Sequence, residues 1–359
     1  MQGAILAGGL GKRLRPLSEI VPKPLLFVGG KPMLDHALSA CDALGLREVA
    51  IVASPFTREA ITSHLNNVDN NIDIRVLLQE KPLGTADAVS VLENFVDDEV
   101  LVVSSDVTLN VPAMVSLVKF HREKSPLASI LGVKVKDPSK YGVLLVNGAT
   151  LTGVVEKPKE FLGDLVNSGI YVLSKYAVAS AKDSPISVRG EKEITDTFVS
   201  LSKSGLVMVL PDNGSWWHDV GDFRNLLMAN QYYLEFGLDQ KGYVRGGDIK
   251  RVGKGTIIGP SFVADADLIE GEVGPYASLD SGAKIGFGCH VRNTVMMQGS
   301  GVLPAYSVRN AILAPGALAT SEVHGTQEAP ALIMPSGSKI RQRMLLFTKA
   351  GRLAFIRKI

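Results

Sequence analysis

Short apolar runs alternate with amphipathic segments along the first third of the chain. Residues 49–52 and 100–103 are uninterrupted apolar runs of strand length. Strands that are apolar on both faces and alternate with helices favour an α/β fold with a mostly parallel sheet and helices on both faces. The other predicted elements are strands at 2–6 and 74–78, helices at 31–45, 85–95, 112–124, 193–202 and 223–236, and a β-rich stretch at 128–172.

The chain changes character near residue 241, where apolar residues begin to recur every six positions. A six-residue period is typical of a parallel β-helix, in which each short strand forms one side of a coil. Gly259, Gly274 and Gly286 stand beside repeated positions and suit tight corners. The alternative is an ordinary β-rich domain. The three registers are Ile257, Val263 and Ile269; Val273, Leu279, Ile285 and Val291; and Val302 with Val308.

These patterns divide the chain into three predicted parts. Residues 1–240 form an α/β domain, residues 241–322 form the β-helix, and residues 323–359 form a linker and a basic tail. The tail has no acidic residue after Glu328, and two apolar segments at 344–347 and 353–356 predict a hairpin. We interpret it as a solvated edge that packs on the body or on another subunit, with an anion or membrane contact as the alternative.

The bulk composition restricts the classes of function. The 359 residues are 46% hydrophobic and 21% charged, and the formal net charge is +2. A nearly neutral chain gives no reason to expect nucleic acid or an anionic membrane as the main partner. No apolar run approaches the roughly 20 residues that span a bilayer, and the first residues lack the features of a signal peptide. With Cys41 and Cys289 as its two cysteines, the protein is predicted to be cytoplasmic, without a disulfide framework.

A glycine-rich loop follows the first predicted strand. Glycines let the backbone approach a ligand closely and present N–H groups to phosphate oxygens. Lys23, held between two prolines, adds a further cation on a stiff segment, so a polyphosphate is the expected ligand. The loop lacks both the P-loop pattern and the usual dinucleotide fingerprint. Its glycines and cations are Gly8, Gly9, Gly11, Lys12 and Arg13.

The order of motifs resembles the sugar-1-phosphate nucleotidylyltransferases, also called NDP-sugar pyrophosphorylases, over about residues 1–320. The resemblance implies a Rossmann-like catalytic domain followed by a left-handed β-helix of the hexapeptide type. The motifs are Gly-Gly-x-Gly-x-Arg-Leu-x-Pro-Leu from residue 8, Pro-Lys-Pro at 22–24, Gly-Lys-Pro-Met at 30–33, Gln-Glu-Lys-Pro-Leu-Gly-Thr-Ala at 79–86, Asp106, Glu-Lys-Pro at 156–158, Asn-Ser-Gly-Ile-Tyr at 167–171 and Trp-His-Asp-Val-Gly at 217–221.

The resemblance also implies a role for each matched residue. Arg13, Lys23 and Asp106 would be catalytic, and Asp106 with Asp219 would hold Mg²⁺. Lys157 would bind the sugar phosphate and Glu156 a sugar hydroxyl. The nucleotide-binding set is Leu6, Gly8, Gly9, Gly11, Gln79, Gly84 and Thr85, and the sugar-phosphate set is Tyr141, Gly142, Glu156, Lys157 and Asn167.

The implied reaction joins two anions, an NTP and a sugar 1-phosphate, to give an NDP-sugar and pyrophosphate. Because the attacking phosphate is already ionised, catalysis needs charge neutralisation and alignment and no side-chain nucleophile. The segments around Lys23 and Lys31 look most like the mannose-1-phosphate guanylyltransferase branch, which would use GTP. Glucose-1-phosphate thymidylyl- or uridylyltransferase is the close alternative.

Two positions depart from the family pattern, and two rival interpretations stay open. Ser104-Ser105 precede Asp106 where glycine is more usual, and Asp222 stands where threonine is usual. One rival is a catalytically dead regulatory homologue that binds an NDP-sugar. The other is a bifunctional enzyme whose β-helix transfers an acyl group, with His290 as the histidine inside the repeats. We expect instead that a β-helix this short mediates formation of a homo-oligomer. His218, Trp216, Trp217 and Cys41 are interpreted as structural.

Overall fold

The computed structural model describes residues 1–67, 71–236 and 241–336, together with strands at 344–347 and 353–356. None of the helices in these ranges is long and apolar enough to cross a membrane. The α-helices are α1 (Met33–Ala43), α2 (Arg58–Leu65), α3 (Thr85–Ser90), α4 (Val111–Lys124), α5 (Lys175–Ser180), α6 (Ile194–Ser202) and α7 (Phe223–Glu235).

The described strands in the first two thirds of the chain are β1 (Gln2–Leu6), β2 (Phe27–Val28), β3 (Lys31–Pro32), β4 (Glu48–Ala53), β5 (Asp73–Leu78), β6 (Glu99–Ser104), β7 (Ala128–Lys134), β8 (Gly142–Asn147), β9 (Thr150–Glu156), β10 (Leu165–Ser174) and β11 (Val207–Asp212). Among them, β2 and β3 pair only with each other. The others form one nine-stranded sheet in the order β5-β4-β1-β6-β10-β7-β11-β9-β8.

The prediction of a mostly parallel sheet is correct for only part of this sheet. Strands β5, β4, β1 and β6 are parallel to one another, and β7 is parallel to β11. Strand β10 is antiparallel to both β6 and β7, and β9 is antiparallel to β11 and β8. The sheet is therefore mixed, because β10 and β9 each run antiparallel to the strands beside them.

Both faces of the central strands are buried, as their uninterrupted apolar runs predicted. Every residue from Val100 to Val103 is fully buried, and successive side chains of a strand point to opposite faces. Ala4, Val102 and Ile130 share one core cluster with apolar residues of α3, α5 and α6. On the other face, a Cβ at Gly3 would contact Cys41 of α1 at 3.5 Å, so Cys41 lies in the core as predicted.

The last third of the chain builds three stacked ladders of short parallel strands. In the first ladder, Ile257 pairs with Val273, Val273 with Val291, and Val291 with Val308. The chain contributes a strand to each of the three ladders in turn. A step of six residues along the sequence therefore leads from a repeated position in one ladder to a repeated position in the next. Every repeated apolar position is at most 3% exposed. The described strands here are β12 (Tyr243–Val244), β13 (Ile249–Val252), β14 (Gly255–Ile258), β15 (Ser261–Val263), β16 (Glu272–Val273), β17 (Ser278–Leu279), β18 (Lys284–Ile285), β19 (His290–Met296), β20 (Gly301–Val302), β21 (Ser307–Leu313), β22 (Leu318–Ala319), β23 (Val323–His324), β24 (Ala331–Ile333), β25 (Met344–Phe347) and β26 (Leu353–Ile356).

The two strands of the hairpin predicted at the end of the chain are present and pair with each other. β25 pairs antiparallel with β26, and β25 is also antiparallel to β24. The turn between the two strands and the basic residues that surround them lie outside the described residues, so the interpretation of the tail as a solvated edge stays a prediction.

Contacts divide the chain into two compact units that do not follow the linear order of the sequence. The first unit comprises Met1–Leu10, Pro22–Pro24 and Leu34–Trp217. The second comprises Gly11–Val21, Leu25–Met33 and the chain from His218 onwards. The predicted domain limits at residues 240 and 322 remain a prediction.

One buried side chain links three separate segments of the second unit. Asn230 on α7 is fully buried; its Oδ1 accepts a hydrogen bond of 2.8 Å from the Gly29 N–H, and its Nδ2 donates one of 3.1 Å to the Tyr276 carbonyl. Gly29 has a φ of 56°, and a Cβ there would overlap Tyr233 of α7, so only glycine fits this approach.

We expect Asn230→Leu to lower the free energy of unfolding by on the order of 2 kcal/mol, because it removes both hydrogen bonds of this buried amide. Urea unfolding followed by circular dichroism measures this change. Asn67, whose amide makes one exposed hydrogen bond of 2.7 Å to Ser63, provides a matched control. Asn67→Leu should change the value by no more than about 0.5 kcal/mol. Equal effects of the two substitutions would contradict the role given to Asn230.

Candidate active site

Three parallel strands end at the same edge of the sheet, and the predicted phosphate loop begins there. Leu6, the last residue of β1, pairs with Val52 of β4 on one side and with Ser104 of β6 on the other. The Ala7 N–H then donates to the Val52 carbonyl, and the Ser105 N–H donates to the Leu6 carbonyl. Parallel pairing therefore brings the start of the glycine loop beside the segment that carries Asp106.

The structure brings the predicted base-reading residues together within the first unit. A Cβ at Gly8 would lie 2.9 Å from the Gln79 Oε1, so the glycine is needed for this approach. Gln79 is only 3% exposed, and its Nε2 donates to the Gly84 carbonyl at 3.0 Å and to Asp87 Oδ2 at 2.8 Å. Both amide hydrogens are therefore used, and Oε1 remains as the acceptor on the Gly8 side. The sequence analysis did not identify Asp87.

Lys23 and Asp106, two of the predicted catalytic residues, form an ion pair. The Lys23 Nζ lies 2.5 Å from Asp106 Oδ2. The Lys23 side chain is 9% exposed and that of Asp106 is 32% exposed. A nearly buried ammonium group is stable only beside an anion, so this carboxylate is part of what allows Lys23 to lie there. Asp106 reaches the site because it follows the end of β6 by two residues.

In the second unit, the predicted site residues Arg13 and Asp219 also form an ion pair. Arg13 Nη2 lies 3.6 Å from Asp219 Oδ2, with side chains 62% and 20% exposed. A Cβ at Gly221 would overlap the Arg13 guanidinium group, so the absence of a side chain at Gly221 makes room for it. The departure at Asp222 also has a structural reason, because Asp222 Oδ1 caps the first turn of α7 by accepting from the Asn225 N–H at 2.8 Å.

Glu156 is held by two residues that the sequence analysis missed. The Thr195 hydroxyl donates to Glu156 Oε1 at 2.9 Å, and Arg189 Nη2 lies 3.4 Å from Oε2. A Cβ at Gly142 would lie 2.8 Å from Glu156 Oε1, so this predicted glycine lies against the carboxylate. Nothing in the spacing along the chain marks Arg189 or Thr195. Thr195 reaches Glu156 because α6 packs against β9, and Arg189 lies on the segment that leads into α6.

The segment that contains Arg189 also bonds to the predicted nucleotide segment. The Lys192 N–H donates to the Leu83 carbonyl at 2.6 Å, and the Lys192 carbonyl accepts from the Ala86 N–H at 2.9 Å. Thr85 Oγ1 accepts from the Ile194 N–H at 2.9 Å. Gly84 has a φ of 133° and passes so close to Lys192 that a Cβ would overlap its carbonyl. A single stretch of chain thus contacts both predicted substrate subsites.

The remaining predicted sugar residues lie around β9 and β10. The Lys157 N–H donates to the Tyr141 carbonyl at 2.9 Å, and Lys157 has a φ of 48°. The Tyr141 and Trp217 rings meet edge to face at 4.9 Å, and Trp217 Nε1 donates to the Ser168 carbonyl. Trp217 is 7% exposed, which agrees with its interpretation as a packing residue.

Asn167 lies at a break in the pairing of β10 with β7. The register shifts between Asn167 and Tyr171, and Asn167 Oδ1 accepts from the Gly169 N–H at 3.1 Å. Gly169 has a φ of 83°, and a Cβ there would lie 2.8 Å from the Ser104 hydroxyl. Burial raises the pKa of the neighbouring Tyr171 hydroxyl, so this group stays neutral. A break of this kind in strand pairing redirects side chains, and β-bulges, which are one form of it, are common beside active sites.

No group of three or more His, Cys, Asp or Glu side chains is arranged to hold a metal ion in the part of the chain that the structure describes. Asp106 belongs to the first unit and Asp219 to the second, so their joint role at a metal stays a prediction. Burial lowers the pKa of His218, and its ring lies 6.3 Å from that of Tyr232, which agrees with a structural role.

Comparison with known proteins shows the family and the enzyme class of the chain. A family model described as "Nucleotidyl transferase" matches residues 2–235. Mannose-1-phosphate guanylyltransferase 1 of Arabidopsis thaliana is 28% identical over 88% of this chain and 99% of its own length. Mannose-1-phosphate guanyltransferase of Yarrowia lipolytica is 33% identical over 69% of this chain and 71% of its own length.

A solved structure gives an independent comparison of the fold. A Bacillus anthracis crystal structure, provisionally named as a glucose-1-phosphate thymidylyltransferase in complex with a sucrose, has a TM-score of 0.61 and 28% identity. The match covers 67% of this chain and 98% of the other. The family model, the relatives and this structure agree that the chain belongs to the nucleotidyl transferase family and is a nucleotidyltransferase.

Proposed function

We propose that this nucleotidyltransferase is a mannose-1-phosphate guanylyltransferase, which makes GDP-mannose and pyrophosphate from GTP and mannose 1-phosphate. The observation that carries the choice of substrates is the extent of the match to the plant enzyme, which includes 88% of this chain. The thymidylyltransferase structure matches only 67% of it. Glucose-1-phosphate thymidylyl- or uridylyltransferase remains the alternative.

In the proposed reaction, a phosphate oxygen of the sugar phosphate attacks the α-phosphorus of the NTP. A new P–O bond forms there, the bond to the β-phosphate oxygen breaks, and pyrophosphate leaves with the bonding electron pair. Arg13 and Lys23 stabilise the charge on the leaving group, and Lys157 holds the attacking phosphate. Glu156 accepts from a sugar hydroxyl, oriented by Arg189 and Thr195. Catalysis of this kind is mainly positioning and electrostatic stabilisation.

Asp106 and Asp219 fit the role of Mg²⁺ ligands by their chemistry. Mg²⁺ takes oxygen ligands and usually binds through one or two carboxylates together with substrate phosphates. The contact of Asp106 with Lys23 uses Oδ2, and that of Asp219 with Arg13 likewise uses Oδ2. When bound, Mg²⁺ would neutralise phosphate charge and help to orient the reacting groups.

The hydrogen bonds of the Gln79 side chain support a role for this residue in recognising the base of the nucleotide. Because Gly84 and Asp87 accept both of its amide hydrogens, its Oε1 is the atom that remains for a ligand. An acceptor at this point suits a base that presents a ring N–H, as guanine, uracil and thymine do. Leu6, Gly8, Gly9 and Gly11 complete the proposed nucleotide site, with Gly11 in the left-handed conformation at a φ of 60°.

The parallel ladders in the last third of the chain support a proposal about its fold and assembly. We propose that residues 241–322 form a left-handed parallel β-helix that takes part in a cytoplasmic homo-oligomer. The three parallel ladders and the repeat of about three six-residue steps per coil support the β-helix.

Pyrophosphate release with Mg²⁺, measured for five NTPs against several sugar 1-phosphates, tests the proposed substrates. We expect the highest kcat/KM with GTP and mannose 1-phosphate, at least about tenfold above the other pairs. A maximum with dTTP or UTP and glucose 1-phosphate would favour the alternative. Absence of release with every pair, from a folded protein, would favour the regulatory homologue.

We expect Asp106→Asn and Asp219→Asn each to lower kcat by at least about 100-fold, the usual cost of losing an electrostatic group at a reacting centre. Asparagine keeps an oxygen acceptor for Lys23 and for Arg13, so folding should be preserved. Asp42, which pairs with Arg47 at 2.8 Å on an exposed surface, is the matched control. If kcat of either variant stays close to that of Asp42→Asn, the metal assignment is wrong.

Arg189→Gln should raise the KM for the sugar 1-phosphate roughly tenfold or more, because it removes a charge-assisted contact from Glu156. The KM for the NTP should change little, since the Arg189 side chain pairs with Glu156 and Glu193. Steady-state kinetics with each substrate varied in turn measures both constants. Arg47→Gln removes an arginine from a comparable but exposed pair and should change neither. A rise in the KM for the NTP alone would contradict this role.

A further inference from the structure

The side chain of Asp87 contacts the buried amide of Gln79 within the first unit. Gln79 is 3% exposed, and its Nε2 donates at 2.8 Å to Asp87 Oδ2 and at 3.0 Å to the Gly84 carbonyl. All three residues belong to the same compact unit. The role inferred below for Asp87 rests on the proposed function, in which Gln79 contacts the base of the nucleotide.

The chemistry of these two acceptors determines the orientation of the Gln79 amide. A backbone carbonyl and an ionised carboxylate both accept hydrogen bonds and donate none. A reversed amide would place its oxygen against two other oxygens and would lose both hydrogen bonds. The nitrogen must therefore face Gly84 and Asp87, and Oε1 must face the side of Gly8, where a Cβ would lie 2.9 Å from it.

Backbone contacts fix the places from which the two side chains meet. The Gln79 N–H donates to the Ala53 carbonyl at 2.8 Å, which links the residue to β4 beyond the end of β5. Asp87 lies on α3 between Ala86 and Ala88, and both of these neighbours are buried. The carboxylate of Asp87 therefore reaches the amide from a backbone position that the packing of α3 determines.

The orientation of this amide divides the nucleotide bases into two groups. Guanine, uracil and thymine each carry a ring N–H on the edge that pairs with another base, and this group can donate to Oε1. Adenine and cytosine carry at the corresponding place a ring nitrogen that only accepts, so two acceptors would face one another. A site that is built around one pattern of hydrogen bonds rejects the other, because the mismatched polar groups stay unpaired.

We propose that Asp87 determines which of these two groups of bases the site accepts. It is a positioning residue, because it acts on the base through Gln79. With a carboxylate at residue 87, reversal of the amide costs both hydrogen bonds of Nε2. A side chain that can also donate would let the amide reverse and present an N–H to adenine or cytosine. Asp87 does not distinguish guanine from uracil or thymine, since all three present a ring N–H.

Isothermal titration calorimetry with GTP and with ATP, in the presence of Mg²⁺ and without sugar phosphate, tests this role without turnover. Asp87→Asn keeps the shape of the side chain, and its amide can donate as well as accept. We expect this variant to bind ATP roughly tenfold more tightly than the unsubstituted protein, with an affinity for GTP within about threefold. Asp42→Asn removes a carboxylate from an exposed ion pair with Arg47 and should change neither affinity by more than about twofold.

A gain in affinity for ATP separates this role from a structural one, because damage to the fold would weaken binding of both nucleotides. Asp87→Ser, whose hydroxyl can likewise donate or accept, serves as the test variant if Asp87→Asn does not fold. In a protein that already carries Gln79→Leu there is no amide to orient, so Asp87→Asn should change the ratio of the two affinities by no more than about twofold. An unchanged ratio in the single variant, or an equal shift in the Gln79→Leu background, would overturn the proposal.

The outcome for Asp87 can be distinguished from the outcome for the proposed function. Absence of pyrophosphate release with every pair of substrates would reject the proposed reaction, while the ratio of the GTP and ATP affinities would still report on Asp87. Release with GTP and mannose 1-phosphate, together with an unchanged ratio in Asp87→Asn, would reject the role of Asp87 alone. Tighter binding of ATP than of GTP by the unsubstituted protein would also overturn that role.

Discussion

The parallel pairing of β1 with β4 and β6 is the constraint on which the first unit depends. It ends three strands at one edge of the sheet and places the glycine loop, Gln79 and Asp106 on the short segments that leave that edge. Backbone hydrogen bonds from Ala7, Gln79 and Ser105 to neighbouring strands extend this order past the strand ends. The position of Asp106 is therefore set first by backbone geometry, and its side-chain contact with Lys23 comes in addition.

The ion pairs within each unit show how charged side chains can be stable in the absence of ligands. Like charges repel one another, and an isolated buried ion is costly. Lys23 pairs with Asp106 in the first unit, and Arg13 pairs with Asp219 in the second. Lys23, the nearly buried member of the four, thus avoids the cost of a buried, uncompensated ion.

Local patterns predicted the elements and the repeats well. The six-residue registers identified positions that prove to be buried, and Gly274, with a φ of 102°, lies where a Cβ would overlap the Ile258 carbonyl. The apolar runs gave the central strands, because burial on both faces leaves a direct trace in the sequence. The motifs also contain residues that contact one another in the structure, as Lys23 and Asp106 do. The joint use of Asp106 and Asp219 and the binding roles of the site residues stay predictions.

Features that arise from long-range pairing could not be predicted in the same way. The direction of β10 could not be predicted from periodicity, because a buried strand has the same apolar pattern whether its neighbours are parallel or antiparallel. Helix α3 ends at Ser90, five residues before the predicted limit, and Pro32 lies in β3 instead of the first turn of a helix. Arg189 and Thr195 were missed because their partner Glu156 is more than 30 residues away in sequence, on a strand whose neighbours the sequence does not specify.

The composition of the second unit has a consequence for the evolution of the protein. Leu14, Leu17 and Leu26, which follow the glycine loop, share one apolar core with the repeats, and the Phe27 ring lies 6.0 Å from that of Phe262. The loop that carries Arg13 is thus supported by residues more than 200 positions away. Loss of the repeats would expose this core and leave the loop unsupported, so we expect the effects of substitutions in these two parts of the chain to depend on one another.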